Sequence, residues 1–340
     1  MNDLARPYRR NRSQTLLIVE GNHEKDELFG LIFHSFPELS IETHNIWIYG
    51  TNIYMLYEAI VKEYGETWYK DDIDLPLLIS TKKDGTRCYK QDFTNIYLVF
   101  DYERHDPNFS EQKISRMQEY FSDVTDPGKL YINYPMIESY QHLRCLPDSE
   151  YIDLKVPVSL QPGKKYKELV RDSFMNMAVS HTGKVRNILA GRFGVVDEDH
   201  LNRIVEGILS QNNEGSFLKA TEELLKDTVA KKDVKTALYQ LKDLVWKIGY
   251  VRDGNDYWRH MRNLFKQVIR INIDKAYRIQ YGKACYENNK LESRGRYDSL
   301  DERNILHVQN EASRCDHDGF IWVLSTCILL VAEYNFRLLD

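Results

Sequence analysis

The chain has 340 residues, 42% of them hydrophobic and 29% charged, with a formal net charge of −5. That composition describes a soluble globular protein with room for two domains and a sizeable core, and it excludes collagen-like, low-complexity and largely disordered classes. Five scattered cysteines without Cys-x-x-Cys spacing exclude a disulfide framework and a zinc ribbon, and they predict reduced thiols in a cytoplasmic protein.

The charge is unevenly divided. Residues 1–160 carry 17 basic and 26 acidic side chains, and residues 161–340 carry 29 and 25. An acidic front half and a mildly basic back half fit a metal site beside a phosphate-binding surface. Residues 1–13 read as a loose, basic, solvated tail. No apolar segment precedes the first strand, so no secretory signal is expected.

The first strand is the apolar run in TLLIVEGNHEKD (residues 15–26), which ends on Glu20 and Glu24. Residues 24–36 have the pattern of an amphipathic helix stopped by Pro37. A second strand is predicted within 40–49 and a second helix over 51–64, where Ile53, Leu56, Tyr57, Ile60 and Val61 recur at helical spacing. Residues 75–80 read as a short strand. The next central strand is the apolar run of NIYLVFDYERHD (95–106), which ends on Asp101, Glu103 and Asp106. Continuous apolar runs of this length suit strands buried on both faces, and alternation with helices predicts a mostly parallel, right-handed α/β sheet. Ser110 is the expected N-cap of a helix reaching 121. Residues 129–134 and 151–158 read as further strands, with Glu138 just past the end of the first of these.

Ligands in such sheets gather at the carboxyl ends of the strands, where these acids stand. Two like charges about 4 Å apart cost roughly 4 kcal/mol at an effective dielectric near 20, so a carboxylate cluster needs protons or cations. Oxygen-only donors select hard ions, Mg2+ or Mn2+ first.

A strand closing on Glu20-Gly21, then a helix, then a strand closing on Asp101-Tyr102-Glu103, resembles the Toprim domain. The phrase Glu20-Gly21-Asn22-His23-Glu24 is similar to the OLD-type form, found with the AriB-type nucleases among bacterial anti-phage effectors. In this chain Asp101-x-Glu103 stands for the family's Asp-x-Asp. The third acid of the fuller Asp-x-Asp-x-Asp pattern falls on His105, with Asp106 beside it. The resemblance covers about the first 160 residues. It implies a catalytic set of Glu20, Asp101 and Glu103 on one divalent ion, with Glu24 and Glu138 assisting a second. It also implies a lysine near the site, for which Lys155 is the candidate, and a partner ATPase holding the enzyme in check.

The stretch 161–165 (QPGKK) marks a domain boundary, giving a Toprim-like domain over 14–160 and a mainly α-helical domain over 161–340 for substrate binding or homo-oligomerisation. Within the second domain, residues 256–280 form an amphipathic helix. Arg259, Arg262, Lys266 and Arg270 line one face of it, and that stripe is the expected nucleic-acid grip; a solvated helix face is the equal alternative. Residues 315–318 (CDHD) read as an N-cap turn rather than a metal site. The apolar stretch 320–332 is too short to span a bilayer and reads as a buried helix. No phosphate loop, dinucleotide fingerprint, nucleophile elbow or zinc-protease motif is present.

The sequence therefore predicts a cytoplasmic, divalent-metal-dependent nuclease acting on RNA or DNA. The rival readings are a primase- or topoisomerase-like enzyme of the same fold, and a non-catalytic binding module with a degenerate site.

Overall fold

The computed structural model describes residues 15–83, 87–160, 164–315 and 318–340. The expected basic tail lies outside the described residues, as do 161–163 of the boundary and two of the four positions of the 315–318 cluster.

A five-stranded sheet forms the centre, in the order β2-β1-β3-β5-β4. The strands are β1 (Thr15–Val19), β2 (Ile46–Ile48), β3 (Asn95–Asp101), β4 (Ser122–Asp123) and β5 (Gly128–Asn133). β1, β2, β3 and β5 run parallel, and short β4 caps the edge antiparallel to β5. All five residues of β1 and six of the seven in β3 are buried, as expected of strands covered by helices on both faces. Helix Ile53–Tyr64 packs against helix Glu111–Tyr120, while helix Gly30–Ser35 packs against the long helix Tyr257–Asn288. Ser110 accepts from the Lys113 amide and caps its helix as predicted.

From β1 the chain moves to β2 on one side, and then crosses to β3 on the other. β1 and β3 are thus neighbours at which the strand order reverses. The crevice that opens there lies at their carboxyl ends.

The class expected from sequence, a mostly parallel α/β sheet followed by a helical region, is the one observed. Three expected elements differ. Residues 75–80 begin a helix, Leu75–Lys83. Pro76 sits in its first turn, where no amide partner is lost, and Asp74 Oδ1 accepts from the Leu77 amide at 3.0 Å. Within 151–158 only Lys155–Pro157 is extended (β6), and it lies outside the main sheet. The stretch 320–332 is not one helix. Its aromatic and β-branched start forms β7 (Phe320–Trp322), antiparallel to β6, before a 3-10 turn at Cys327–Leu329 and helix Leu330–Asn335. Such a run is ambiguous by periodicity, and tertiary partners decide it. Leu324 exchanges both backbone hydrogen bonds with Tyr134, at 2.8 Å each, and Thr326 Oγ1 donates to the Ile132 carbonyl at 2.8 Å. The segment after β7 thus bonds to the end of β5 without adding a strand to the main sheet. Among the described residues, no helix is long and apolar enough to cross a membrane.

Candidate acidic site at the strand ends

β1 delivers Glu20 and β3 delivers Asp101 to the same crevice. The register pairs Val19 with Val99, so Glu20 emerges beside the end of β3. Its Oε2 accepts from the Asp101 amide at 3.4 Å, and its carbonyl accepts from the Gly50 amide at 2.9 Å beyond the end of β2. The chain then turns into a π-helical segment, Glu24–Phe29, which leads into helix Gly30–Ser35. Wide turns of this kind cluster at functional sites. Here the turn brings Glu24 back over the strand end, where its Oε2 accepts from the Gly21 amide at 2.8 Å. A Cβ at position 21 would stand 3.2 Å from that oxygen, so the Glu20-Gly21 pair serves this close return.

Asp101 is 5% exposed, and its Oδ1 has no hydrogen-bond partner. Burial raises its carboxyl well above the ordinary range, and Glu20, Glu24, Glu138 and Glu103 push it the same way. Glu20 is pushed up to about 8, first by burial, then by Glu103, Glu24 and Asp106, against the opposing Asp101 amide. Glu103 is also raised, chiefly by burial and with a contribution from Asp106; a hydrogen bond from Asn52 opposes both. Its backbone has φ +40°, a conformation uncommon for a residue with a side chain. Asn52 Nδ2 donates to Glu103 Oε2 at 3.0 Å and to Asp106 Oδ2 at 2.6 Å.

Glu138, 3% exposed, enters from the 3-10 turn Ile137–Gln141 after β5. Lys167 Nζ and His23 Nε2 lie 3.0 and 3.2 Å from its Oε1. Burial works against the charged form of Lys167, yet Glu138, Asp101 and Glu24 raise it overall. His23 follows the same logic: burial lowers it, and Glu27 and Glu138 outweigh burial.

The crevice therefore brings together the predicted Glu20, Glu24, Asp101, Glu103 and Glu138. Lys155 is not among them. Its ammonium lies on the ring of Phe320 at 4.0 Å and near Trp322 at 5.6 Å, because β6 pairs with β7 instead of joining the main sheet. The lysine at the acids is Lys167, on helix Lys164–Val170. His105 turns away and bonds the Val158 carbonyl through Nε2. Asp106 is the third acid that faces Glu103.

The basic stripe is largely spent inside the molecule. Arg262 donates to both oxygens of Glu38, at 2.7 and 2.9 Å, and to the Ser35 carbonyl, with its guanidinium over Phe36. Lys266 bonds the Asp340 carbonyl, and Arg270 bonds the Leu339 carbonyl. Arg259 stays exposed.

Among the described residues, no three His, Cys, Asp or Glu side chains are grouped to hold a metal ion as they stand. The chemistry of the donor set nevertheless fits a hard divalent ion. All the donors are carboxylate oxygens, Asp101 Oδ1 is buried without a partner, and the raised carboxyls are those a cation would return to the charged form.

Asn52, His23 and Lys167 are the neighbours that sequence reasoning did not assign, whereas Asp106 was visible as the acid beside His105 without a settled role. Asn52 carried a usable signal as a good N-cap residue, but the predicted helix began one residue before it. No family model, curated protein or solved structure matches the chain.

Proposed function

We propose that the chain is a divalent-metal-dependent nuclease of Toprim-like design, hydrolysing phosphodiester bonds in RNA or DNA. The observation that carries this reading is the meeting of Glu20, Asp101 and Glu103 at the reversal point of a parallel sheet, with the Asp101 carboxylate buried and lacking a partner for one oxygen. Glu20, Asp101 and Glu103 would hold one Mg2+ or Mn2+, and Glu24 and Glu138 would assist a second. Such ions, when bound, activate a water and stabilise the leaving oxygen, so the chain needs no nucleophile of its own. The chain's part is to fix the carboxylates on rigid strand ends and to exclude water from Asp101. Lys167, half exposed beside Glu138, is the cation positioned to meet a substrate phosphate.

By its resemblance to OLD-type and AriB-type proteins, the chain would serve in the cytoplasm as an anti-phage effector restrained by a partner ATPase. The finding that no three ligands are grouped in place favours the rival reading, a binding module with a degenerate site. Incubation with Mg2+ or Mn2+ and mixed RNA and DNA separates the two. The nuclease cuts only with the ion, and Glu20→Ala and Asp101→Ala each reduce cutting by more than about 100-fold, beyond the roughly 10–100-fold that loss of a ligand's supporting partner costs. Cutting that survives in both variants overturns the assignment of these acids.

A further inference from the structure

We infer that Asn52 is a positioning residue of the acidic site: its single carboxamide sets the spacing of Glu103 and Asp106 and ties both to the start of helix Ile53–Tyr64. The inference rests on the divalent-ion reading above.

Every polar atom of the Asn52 side chain is committed. Oδ1 accepts from the Met55 amide at 3.1 Å and caps the helix. Nδ2 donates to Glu103 Oε2 and Asp106 Oδ2. A carboxamide has two donor hydrogens and one acceptor oxygen, so this division fixes its orientation. A flipped amide would set its oxygen against two carboxylates and its NH2 against a backbone N–H. Asp106 is held at its other end too, because Oδ1 accepts from the Asn108 amide at 2.6 Å. With both oxygens engaged, Asp106 acts as a buttress, and Glu103 is the ligand it braces. Glu103 needs bracing, since its backbone sits at φ +40°, and such conformations persist only where the surroundings over-determine them.

The ordinary role of an asparagine at this position is to cap the helix, which a serine performs as well. A serine hydroxyl is too short to span two carboxylates while capping. Asn52→Ser therefore separates the roles. In the full chain with EDTA it should keep the helix cap and stay folded, its melting temperature falling by no more than the loss of the two carboxylate hydrogen bonds accounts for. Mn2+ affinity, read from the electron paramagnetic resonance signal of free Mn2+, should fall by about 10–100-fold, the loss usual when a ligand's supporting partner is removed. Should Asn52→Ser fail to fold, Asp106→Ala, which leaves the cap intact, is expected to weaken Mn2+ binding in the same direction. Wild-type affinity in a folded Asn52→Ser or Asp106→Ala overturns the inference alone. No Mn2+ binding by the wild type overturns the divalent-ion reading, and this inference with it.

Discussion

Asp101 and Glu20 concentrate the electrostatic cost of the crevice, and that cost is measurable without any substrate. A carboxyl raised on folding binds more protons in the folded chain than in the unfolded one across the interval between its two pKa values. For Glu20 that interval runs from the ordinary 4.5 to about 8. Its contribution to stability is full below 4.5 and is lost as pH rises toward 8. Buried His181 and His142, pushed down to about 3 and about 4 mainly by burial, act in the opposite sense. Their contribution is full above 6.5 and is lost as pH falls below it. Between pH 6.5 and 8 His23, raised above 6.5 against its burial by Glu27 and Glu138, also loses its contribution as pH rises. Glu20 is therefore isolated by comparing the wild type with a variant at that position alone. In EDTA, Glu20→Gln should gain melting temperature relative to the wild type as pH rises through that window, and excess Mn2+ should remove the difference. A wild-type curve that is flat over the same range, matching the variant at every pH, would falsify the idea of a strained carboxylate.

Elements decide which charges reach the crevice. Lys155 and Lys167 are both lysines near the expected site in sequence, but β6 pairs outward with β7, while helix Lys164–Val170 faces Glu138. Lys167→Ala should lower cutting by at least about 10-fold, the lower end of what removing a positioned supporting group costs. Lys155→Ala should leave the rate within about twofold and cost stability on the order of 0.5–1 kcal/mol, the worth of an exposed cation–π contact. Paired rate measurements at one Mn2+ concentration distinguish the two. Similarly, Arg262→Ala should reduce stability by about 1 kcal/mol or slightly more, because it abandons Glu38, the Ser35 carbonyl and the Phe36 ring together. The salt dependence of nucleic-acid binding should barely change, since that guanidinium is already neutralised. A slope that becomes shallower by about one unit would instead return Arg262 to the phosphate backbone.

At the scale of the whole molecule, what the sequence revealed and what it hid have physical causes. β1 and β3 were legible because a strand buried on both faces is a continuous apolar run, and the acids at their ends were visible where the runs stop. Helix Glu111–Tyr120 was legible through Ser110, a cap that acts within four residues. Lys167 was not, because it is one of three lysines in KKYKELV (164–170) and only the distant Glu138 singles it out. The intramolecular partners of Arg262, Lys266 and Arg270 were not legible, because helical spacing reports which residues share a face, not what covers it. The segment 320–332 failed for the same reason: its strand character depends on β6 and Tyr134, which lie far back in the chain.

The bridge between Tyr134 and Leu324 also sets a timetable. The Ile132 carbonyl waits for Thr326, and the Asn133 side-chain oxygen, next to Asp101 in the sheet register, waits for the Cys327 amide and the Ser325 hydroxyl. None of these donors exists until residues 325–327 have been synthesised. A fragment of residues 14–160 should therefore stay expanded and susceptible to proteolysis, and a nascent chain should gain resistance only after residue 327 has cleared the ribosome. The proposed cutting site would then be assembled only after the residues that buttress β5 have left the ribosome.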